Sequence, residues 1–401
     1  MLHSPNMTTL PGPPAFFAWR AALLFCAPMM VNGIGLLYLP AMLEGLGMSD
    51  VEIGLIVSIP FLVRMVGMPI GAALADRVSD RAIVMIWSAA VSLVTAIMML
   101  FAHSFWPIAL FYGLQGLFYS PFVPIAEAIL VSGVRRWGFD YGFLRMWGSI
   151  AFVLSTLTGG WLLELYGGAM VLPAMAFFFA FTALVAIAAP RLGRAGPVVK
   201  PAGEGGSRAR SPFWQTDFLL VITGAAMVQG SHGLLFAFAT NYWTANGISG
   251  VQISFLWTAA VVAEILLFFL SGRYLTRFNH RSLVLFGCVM AVVRWTLFPV
   301  VDGFWSYLLL QTNHAFTFGI IHVGIQRFLM ERIGEERGAS AQGFYQFFIS
   351  IFTVATSWAS GFIFQAYGVQ GFYIMALIAA AGVGCVIAAM LVQPQRIRSG
   401  G

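Results

Sequence analysis

The amino-acid sequence predicts an all-α membrane protein with twelve transmembrane helices arranged as two six-helix repeats. The first observation is composition: 60% of the 401 residues are hydrophobic and only 9% are charged, whereas about 25% of residues are charged in ordinary soluble domains. The second is a series of long apolar segments, and the third is a similarity between the two halves of the chain. A soluble core of this length cannot bury so much apolar surface, but a lipid bilayer can cover it.

Twelve apolar segments are long enough to cross a bilayer. A span needs about 20 apolar residues to cross roughly 30 Å of hydrocarbon. Because lipid offers no hydrogen-bond partners, the backbone N–H and C=O groups must pair within each segment, and the segments are therefore predicted to be helices. The predicted spans, numbered in chain order, are residues 16–40, 52–75, 83–102, 106–132, 144–165, 170–190, 215–242, 252–272, 283–301, 304–330, 340–366 and 370–392.

The basic residues predict the orientation of these spans. Lys and Arg collect in the cytoplasmic loops of membrane proteins, and most of the 21 basic residues fall on the side that carries both termini. The opposite loops carry acids such as Glu44, Asp50 and Asp302 instead. We therefore expect a multi-pass protein of the bacterial cytoplasmic (inner) membrane with both termini in the cytoplasm. The net charge of +6 follows from this topology and does not predict binding to nucleic acid.

One long hydrophilic segment divides the chain after the sixth predicted span. It is rich in Gly, Pro and Arg, a composition typical of a flexible linker. We therefore expect an N-terminal six-helix bundle over residues 1–190, a cytoplasmic linker over 191–214 and a C-terminal six-helix bundle over 215–401.

The two predicted bundles are similar in sequence at an offset of 200 residues. The segment "EGLGMSDVEIGL" (44–55) aligns with "TANGISGVQISF" (244–255), and the match includes Ser49 with Ser249. Parallel repeats of this kind are the layout of the major facilitator transporters, in which the substrate site lies near the bilayer midplane between the halves.

The loop between spans 2 and 3, "GAALADRVSDR" (71–81), resembles the signature loop of the major facilitator superfamily, usually Gly-x-x-x-Asp-Arg-x-Gly-x-Arg. Its repeat copy, "GRYLTRFNHR" (272–281), keeps the arginines but has Thr276 at the acidic position. The resemblance implies a gating latch at the cytoplasmic face, and a charged turn that binds lipid headgroups is the alternative. The matching residues are Asp76, Arg77, Arg81, Arg277 and Arg281.

Motifs in spans 5, 7 and 10 resemble the lactose-permease-like branch of this superfamily, most closely its 3-phenylpropionate transporter subgroup. They are "DYGFLRMWGS" (140–149), "QGSHGLLFAF" (229–238) and "HAFTFGIIH" (314–322). In lactose permease an acid in span 4 and an arginine at the start of span 5 hold the sugar, and Glu127 and Arg145 keep their interval. The resemblance implies that Arg145 faces a central cavity near Glu127. The alternative is that its side chain extends to the nearby membrane interface.

Three charged residues, Arg64, Glu264 and Arg294, lie near the centres of predicted spans. A charged side chain at a helix centre costs about 2.5–3.5 kcal/mol to insert, so these residues are candidates for function. Arg64 and Glu264 are equivalent in the repeat, which favours an ion pair between the two halves. The alternative is a structural ion pair between Glu264 and Arg294 on neighbouring helices.

Three histidines, His232, His314 and His322, lie in spans 7 and 10. They either form hydrogen bonds in the core or carry protons in one cavity; their spacing does not favour a metal site, and no cofactor is expected. His314 matches the span-10 histidine of lactose permease, but Thr317 stands where that transporter has a proton-coupling glutamate. An uncoupled facilitator is therefore an alternative. The candidates for proton coupling are Glu264, Arg294, His314 and His322.

The candidate cavity residues include more arginines than acids, together with aromatic rings. This composition favours a small aromatic carboxylate held by a guanidinium fork, as the resemblance also implies. Sugars and nucleosides are alternative substrates, and a non-transporting sensor is an alternative function. The expected partners are a small-molecule substrate, protons and the lipid bilayer, with the chain a monomer. The substrate-binding candidates are Arg64, Glu127, Arg145, Trp147, His232, Tyr242, Arg294 and His314.

Other classes of membrane protein lack their sequence signatures here. A chain that hydrolyses ATP for transport would need a Gly-x-x-x-x-Gly-Lys-Ser/Thr phosphate loop, and the sequence has none. An intramembrane enzyme would need a nucleophile beside its acids, and Glu127 and Glu264 have none next to them in sequence. We therefore predict a secondary transporter and not an enzyme.

Overall fold

The computed structural model describes residues 12–78, 80–139, 141–192, 212–333 and 338–392, and their regular elements are all helical. The predicted linker, 191–214, lies for the most part outside these residues. The twelve helices used below are α1 (Phe17–Gly45), α2 (Asp50–Arg77), α3 (Arg81–Met99), α4 (Phe105–Tyr119 and Phe122–Trp137), α5 (Tyr141–Tyr166), α6 (Val171–Ile187), α7 (Thr216–Gly230 and Gly233–Ala245), α8 (Gly250–Tyr274), α9 (His280–Leu297), α10 (Gly303–Thr312, Ala315–Ile320 and Ile321–Arg332), α11 (Gly338–Tyr367) and α12 (Phe372–Val392).

These helices account for the twelve predicted crossings. Nine helical segments among the described residues are long and apolar enough to span a membrane. Two of them, Phe143–Ile187 and Ala341–Val392, would extend about 68 and 78 Å as continuous helices, more than twice the hydrocarbon thickness. Each is broken at a glycine with positive φ, Gly167 at 65° and Gly368 at 54°, so each contains two crossings. The twelfth crossing is α10, which is not among the nine segments because its polar residues lower its hydropathy.

The repeat detected in the sequence is also present in the local structure. Ser49 and Ser249 begin α2 and α8 with the same capping box, in which the serine hydroxyl accepts from the backbone N–H three residues later. In return, the side chains of Glu52 and Gln252 accept from the serine backbone N–H at 2.9 and 3.0 Å. A glycine with φ near 77° lies two residues before each cap. These reciprocal bonds satisfy orphan donors at both helix starts.

The two halves pack closely at the end of the molecule that the sequence predicts to be extracytoplasmic. Helix α2 packs against α11, and α5 packs against α8. A Cβ atom on Gly54 would lie 2.7 Å from the backbone nitrogen of Gly361, and one on Gly160 would lie 2.3 Å from the carbonyl oxygen of Gly250. The backbones therefore approach so closely that only glycine fits at these crossings.

Hydrogen bonds join the halves at this same end. Thr240 in α7 donates to the carbonyl of Leu37 in α1 at 2.7 Å, and Asn241 donates to that of Pro40 at 3.2 Å. The backbone N–H of Val251 donates to the carboxylate of Glu164 at 2.9 Å. These three hydrogen bonds therefore hold the halves together at this end.

Candidate functional site

Arg64 lies in a cavity of about 130 Å³ within the N-terminal half. It is carried by α2, in which Pro60 removes a backbone donor and allows a bend, and its side chain is exposed to the cavity. The guanidinium carbon lies 6.0 Å from the centroid of the Phe61 ring, and the charge interacts with Tyr112 and Tyr119. The polar side chains that line the cavity with it are Asn32, Tyr112, Gln115 and Tyr119.

Arg64 has no acidic partner in the part of the chain that the structure describes. The groups that interact with its charge are phenols and a phenyl ring. An unpaired guanidinium at membrane depth is costly and marks a candidate functional site. The arrangement is suited to an anion that enters the cavity from outside the protein.

A second cavity, of about 180 Å³, lies in the C-terminal half. Its walls include the rings of Phe236, Phe318 and His322. Phe61 of α2 also lines it, so this one ring borders both cavities. The second cavity therefore lies next to the Arg64 cavity, on the other side of Phe61.

Arg294 of α9 is fully buried beside the second cavity, with 0% of its surface exposed. Its guanidinium donates to the hydroxyl of Thr317 at 3.0 Å and to the amide oxygen of Gln311. It also faces Nδ1 of His314 at 3.3 Å and Nε2 of His232 at 3.4 Å. Thr317, which replaces the glutamate of lactose permease, is therefore an acceptor for this arginine.

The hydrogen bonds define the tautomers of the two histidines. Arginine only donates, so the nitrogens of His232 and His314 that face Arg294 are acceptors. The Nδ1–H of His232 then donates to the carbonyl of Val228 at 3.1 Å. The other ring nitrogen of His314, Nε2, lies 3.4 Å from the carboxylate of Glu264. His314 thus lies between a buried cation and a partly buried acid.

A π-helical segment, Ala315–Ile320, interrupts α10 directly after His314. Such bulges are frequent at functional sites. It brings α10 close to α8, where a Cβ atom on Gly319 would lie 3.0 Å from the Leu267 side chain and 3.5 Å from that of Glu264. The bulge therefore positions His314 beside Glu264.

The structure corrects the predicted partners of Glu264. Among the described residues Glu264 pairs with His314, and neither Arg64 nor Arg294 forms an ion pair with it. Arg64 and Glu264 are equivalent in the repeat, but α2 packs against α11 and α8 against α5. Each residue therefore faces a different part of the opposite half, and the two do not meet.

Arg145 of α5 turns towards the protein interior. Its guanidinium carbon lies 5.1 Å from the centroid of the Phe25 ring, and its charge interacts with Glu264 across the two halves, as does that of His322. Glu127 is half-buried in the second segment of α4. Its predicted role beside Arg145 stays a prediction.

Of the predicted substrate-binding residues, Arg64 and His232 line the two cavities described here, and the other six do not, Trp147 and Tyr242 among them. Trp147 packs against Trp19 with ring centroids 5.8 Å apart. Tyr242 lies in an aromatic cluster near the extracytoplasmic end, with ring centroids 6.3 Å from those of Phe298 and Tyr307. Both make the packing contacts that are usual for aromatic residues in apolar helices, and their predicted role in binding is not tested.

The first copy of the predicted gating loop lies between α2 and α3. Arg77 is exposed at the end of α2, and Arg81 is the first residue of α3. The side chain of Asp76 lies outside the described part of the chain. Asp80, which the sequence analysis did not single out, caps α3 through the N–H of Ala82 and pairs with Arg191 at 3.4 Å.

In the second copy, the two arginines have different surroundings. Arg277 is exposed and donates to the carbonyl of Tyr274 at 3.3 Å. Arg281 is buried and pairs with Asp217, at the start of α7, at 3.0 Å. Asp217 also binds Arg332. Sequence reasoning missed Asp217; an acid at the cytoplasmic end of a span, on the side that carries most basic residues, was the available signal.

The sequence analysis also missed the polar residues around the two arginines. Tyr112, Gln115 and Tyr119 surround Arg64, and Gln311 accepts from Arg294. Glutamines inside predicted spans were the available signal, since buried amides need partners. Within the described residues no group of three His, Cys, Asp or Glu side chains is arranged to hold a metal ion.

The chain is similar in sequence to known transporters. It is 28% identical over 388 residues to the probable 3-phenylpropionic acid transporter of Escherichia coli (strain K12), a match that covers 92% of this chain and 94% of that protein. It is 24% identical over 265 residues to the maltose permease of Geobacillus stearothermophilus, which covers 64% of each chain.

The fold is similar to that of solved transporters. The nucleoside transporter NupG superposes with a TM-score of 0.75 at 17% identity, covering 94% of this chain and 99% of that one. The POT family transporter PepTSo gives a TM-score of 0.71 at 9% identity, covering 97% and 99%. At these identities the likeness shows the fold alone. The model of the MFS_1 like family matches residues 31–375. Because that match covers most of the chain, this protein belongs to the MFS_1 like family of the major facilitator superfamily, whose members are membrane transporters and not enzymes.

Proposed function

We propose that this protein is a secondary active transporter that takes up a small organic anion, an aromatic carboxylate such as 3-phenylpropionate, together with protons. The observation that carries the proposal is Arg64, a guanidinium at membrane depth that is exposed to a cavity and has no acidic partner among the described residues. The similarity to the probable 3-phenylpropionic acid transporter supports the same class of substrate.

A carboxylate satisfies the chemistry of this cavity. It accepts two parallel N–H bonds from a guanidinium and neutralises its charge. Tyr112, Tyr119 and Asn32 supply further donors along the wall. A neutral sugar would leave the charge of Arg64 uncompensated, so an anion fits this cavity better than the sugar and nucleoside alternatives.

Glu264 is the group that we assign to proton binding and release. Its carboxylate lies 3.4 Å from Nε2 of His314, and the charge of Arg145 interacts with it from the other half. A carboxyl between elements of two halves changes its neighbours whenever the halves move, which is what coupling requires. His314 connects Glu264 to Arg294, and His322 interacts with Glu264 from the second cavity.

The close packing at one end of the molecule supports an assignment of the side to which the central site opens. The halves meet through glycines and hydrogen bonds at the end that the basic residues predict to be extracytoplasmic. We infer an inward-facing conformation of a monomer in the bacterial inner membrane, with both termini cytoplasmic. Rocking of residues 1–190 against 215–401 about the central site would expose it alternately.

The test is uptake of labelled 3-phenylpropionate into proteoliposomes, with and without an inward proton gradient. Saturable uptake stimulated by the gradient is expected. Saturable uptake that ignores the gradient would indicate the uncoupled facilitator, which Thr317 makes a specific alternative. If 3-phenylpropionate is not taken up, other carboxylates, sugars and nucleosides are tested in the same vesicles. Failure of every carboxylate, in counterflow as well as uptake, would contradict the anion proposal and favour another substrate or a sensor.

A further inference from the structure

We propose that the second cavity is the subsite for the hydrophobic ring of the substrate, so that the protein selects monocarboxylates with an unsubstituted ring over ringless or ring-hydroxylated acids. This inference rests on the proposed function. The carboxylate binds at Arg64 in the N-terminal half, and the ring binds between Phe236 and Phe318 in the C-terminal half.

The position of Phe61 connects the two subsites. Its ring borders both cavities and lies 6.0 Å from the Arg64 guanidinium carbon. A carboxylate held by Arg64 therefore lies close to the boundary of the second cavity. A short linker between carboxylate and ring is enough to pass Phe61.

The volume of the second cavity suits one ring. It measures about 180 Å³, and an apolar cavity of about 150 Å³ in another protein binds benzene. Phe318 stacks on His314 with ring centroids 5.1 Å apart, and Phe236 stacks on Trp257 at 6.1 Å. The two phenyl rings are therefore held in place by other rings.

Most polar groups around this cavity already have partners or are buried in the wall. Both ring nitrogens of His232 are engaged, and the amide of Gln326 bonds to that of Gln342 at 3.2 Å. Gln229 and Tyr345 are 8% and 2% exposed, and the Tyr345 hydroxyl, which has no hydrogen-bond partner among the described residues, is itself fully buried in the wall. A ring hydroxyl entering here would lose its water without gaining a partner from these groups, which disfavours it.

Two further polar side chains line the cavity, His322 and Gln346. His322 stacks in parallel with Phe318, at 6.5 Å, and interacts with Glu264. Gln346 is exposed and is the amide that a ring hydroxyl would use. The variant Gln346→Leu therefore shows whether the ring subsite reads a hydroxyl.

The experiment measures inhibition of 3-phenylpropionate uptake in proteoliposomes by unlabelled acids. The competitors are 3-cyclohexylpropionate, 3-(4-hydroxyphenyl)propionate and butyrate. In the native protein we expect 3-cyclohexylpropionate to compete about as well as unlabelled 3-phenylpropionate, and each of the other two acids at least about tenfold less well, because full burial of a large apolar side chain corresponds to roughly a tenfold effect or more. Equal inhibition by butyrate or by the hydroxylated acid would overturn the inference.

Variants of the two cavity rings test whether the preference for ring acids arises in the second cavity. Phe318→Ala and the gentler Phe236→Leu are expected to weaken inhibition by the ring acids about tenfold and threefold while leaving inhibition by butyrate unchanged. Phe362→Ala, at an exposed ring of α11 that packs on Trp358, is the matched control and should change neither. Equal losses for all acids would contradict the ring subsite. Selective loss of the hydroxylated acid in Gln346→Leu would contradict the selection against ring hydroxyls. Uptake of no carboxylate by the native protein would instead defeat the proposed function, and this inference with it.

Discussion

Nε2 of His314 lies 3.4 Å from the carboxylate of Glu264, while Nδ1 of the same ring faces the guanidinium of Arg294 at 3.3 Å. One imidazole therefore lies between a partly buried carboxylate and a fully buried guanidinium. While Arg294 holds Nδ1 as an acceptor, His314 presents its Nε2–H to Glu264. His314 therefore lies within 3.4 Å of both charged side chains.

Glu264→Gln should uncouple transport from protons without removing the binding site. Glutamine has nearly the same shape and keeps an oxygen near His314, but its side chain cannot take up and release a proton. We expect the variant to exchange labelled for unlabelled 3-phenylpropionate across the membrane, whereas acidification outside no longer stimulates net uptake. Counterflow and gradient-driven uptake in the same proteoliposomes measure the two properties.

The matched control is Glu331→Gln. Glu331 is an exposed acid at the C-terminal end of α10, and it pairs with His280 of α9. It should keep full stimulation by the gradient. If Glu264→Gln retained the native response to external pH, Glu264 would not carry the proton.

Arg64→Gln should weaken the binding of the substrate anion. Loss of a charged hydrogen-bonding group corresponds to about 1.5–3 kcal/mol, or roughly a 10- to 100-fold increase in KM. Arg64→Lys keeps the charge but loses the planar fork, so we expect partial recovery. Arg191→Gln, in a half-exposed pair with Asp80, is the control that should leave KM unchanged. Concentration dependence of uptake is the measurement, and a native KM in Arg64→Gln would place the carboxylate elsewhere.

The sequence predicted the helices and the charged candidates because both follow from local rules. Apolar length and the cost of burying a charge can be evaluated along one segment, and this singled out Arg64, Glu264 and Arg294 as candidates, whose roles stay predictions. The partner of Glu264 depends on which helices of the opposite half are its neighbours. Equivalence in the repeat says that two residues have the same depth, but not that they face one another.

The aromatic walls illustrate a second limit of sequence reasoning. Tyr112 and Tyr119, which surround Arg64, occur in an apolar helix in the same pattern as Tyr242, which packs in a cluster away from both cavities. The spacing of these tyrosines along their helices does not distinguish one that lines a cavity from one that packs in an aromatic cluster. Likewise, the π-helical segment after His314 leaves no clear sequence signal, although it positions that histidine beside Glu264.

Asp217→Asn should destabilise the C-terminal half at its cytoplasmic end. Asp217 pairs with Arg281, whose side chain is 6% exposed, and also with Arg332. Removing one partner of a buried pair costs about 3–5 kcal/mol because the remaining charge has no compensation. We expect a clear fall in the melting temperature of the detergent-solubilised protein. Glu331→Gln instead changes an acid that is 60% exposed, and the glutamine keeps an oxygen beside His280. It should melt close to the native protein. Equal melting of the two variants would contradict a structural role for Asp217.

Gly54→Val should shift the protein away from the conformation described here. A Cβ atom on Gly54 would lie 2.7 Å from the backbone nitrogen of Gly361 in α11, and backbone cannot move aside as a flexible side chain does. We expect the halves to separate at the extracytoplasmic end, because separation relieves the clash while each half stays intact.

The reporter is a cysteine at Thr240, a buried position that bonds to Leu37 across the halves, in a background without the native cysteines. A membrane-impermeant maleimide added outside should label it faster in Gly54→Val. Gly45→Val is the control, since a Cβ atom on Gly45 meets nothing within 4 Å. Unchanged labelling in Gly54→Val would mean that the glycine crossing does not hold this end closed.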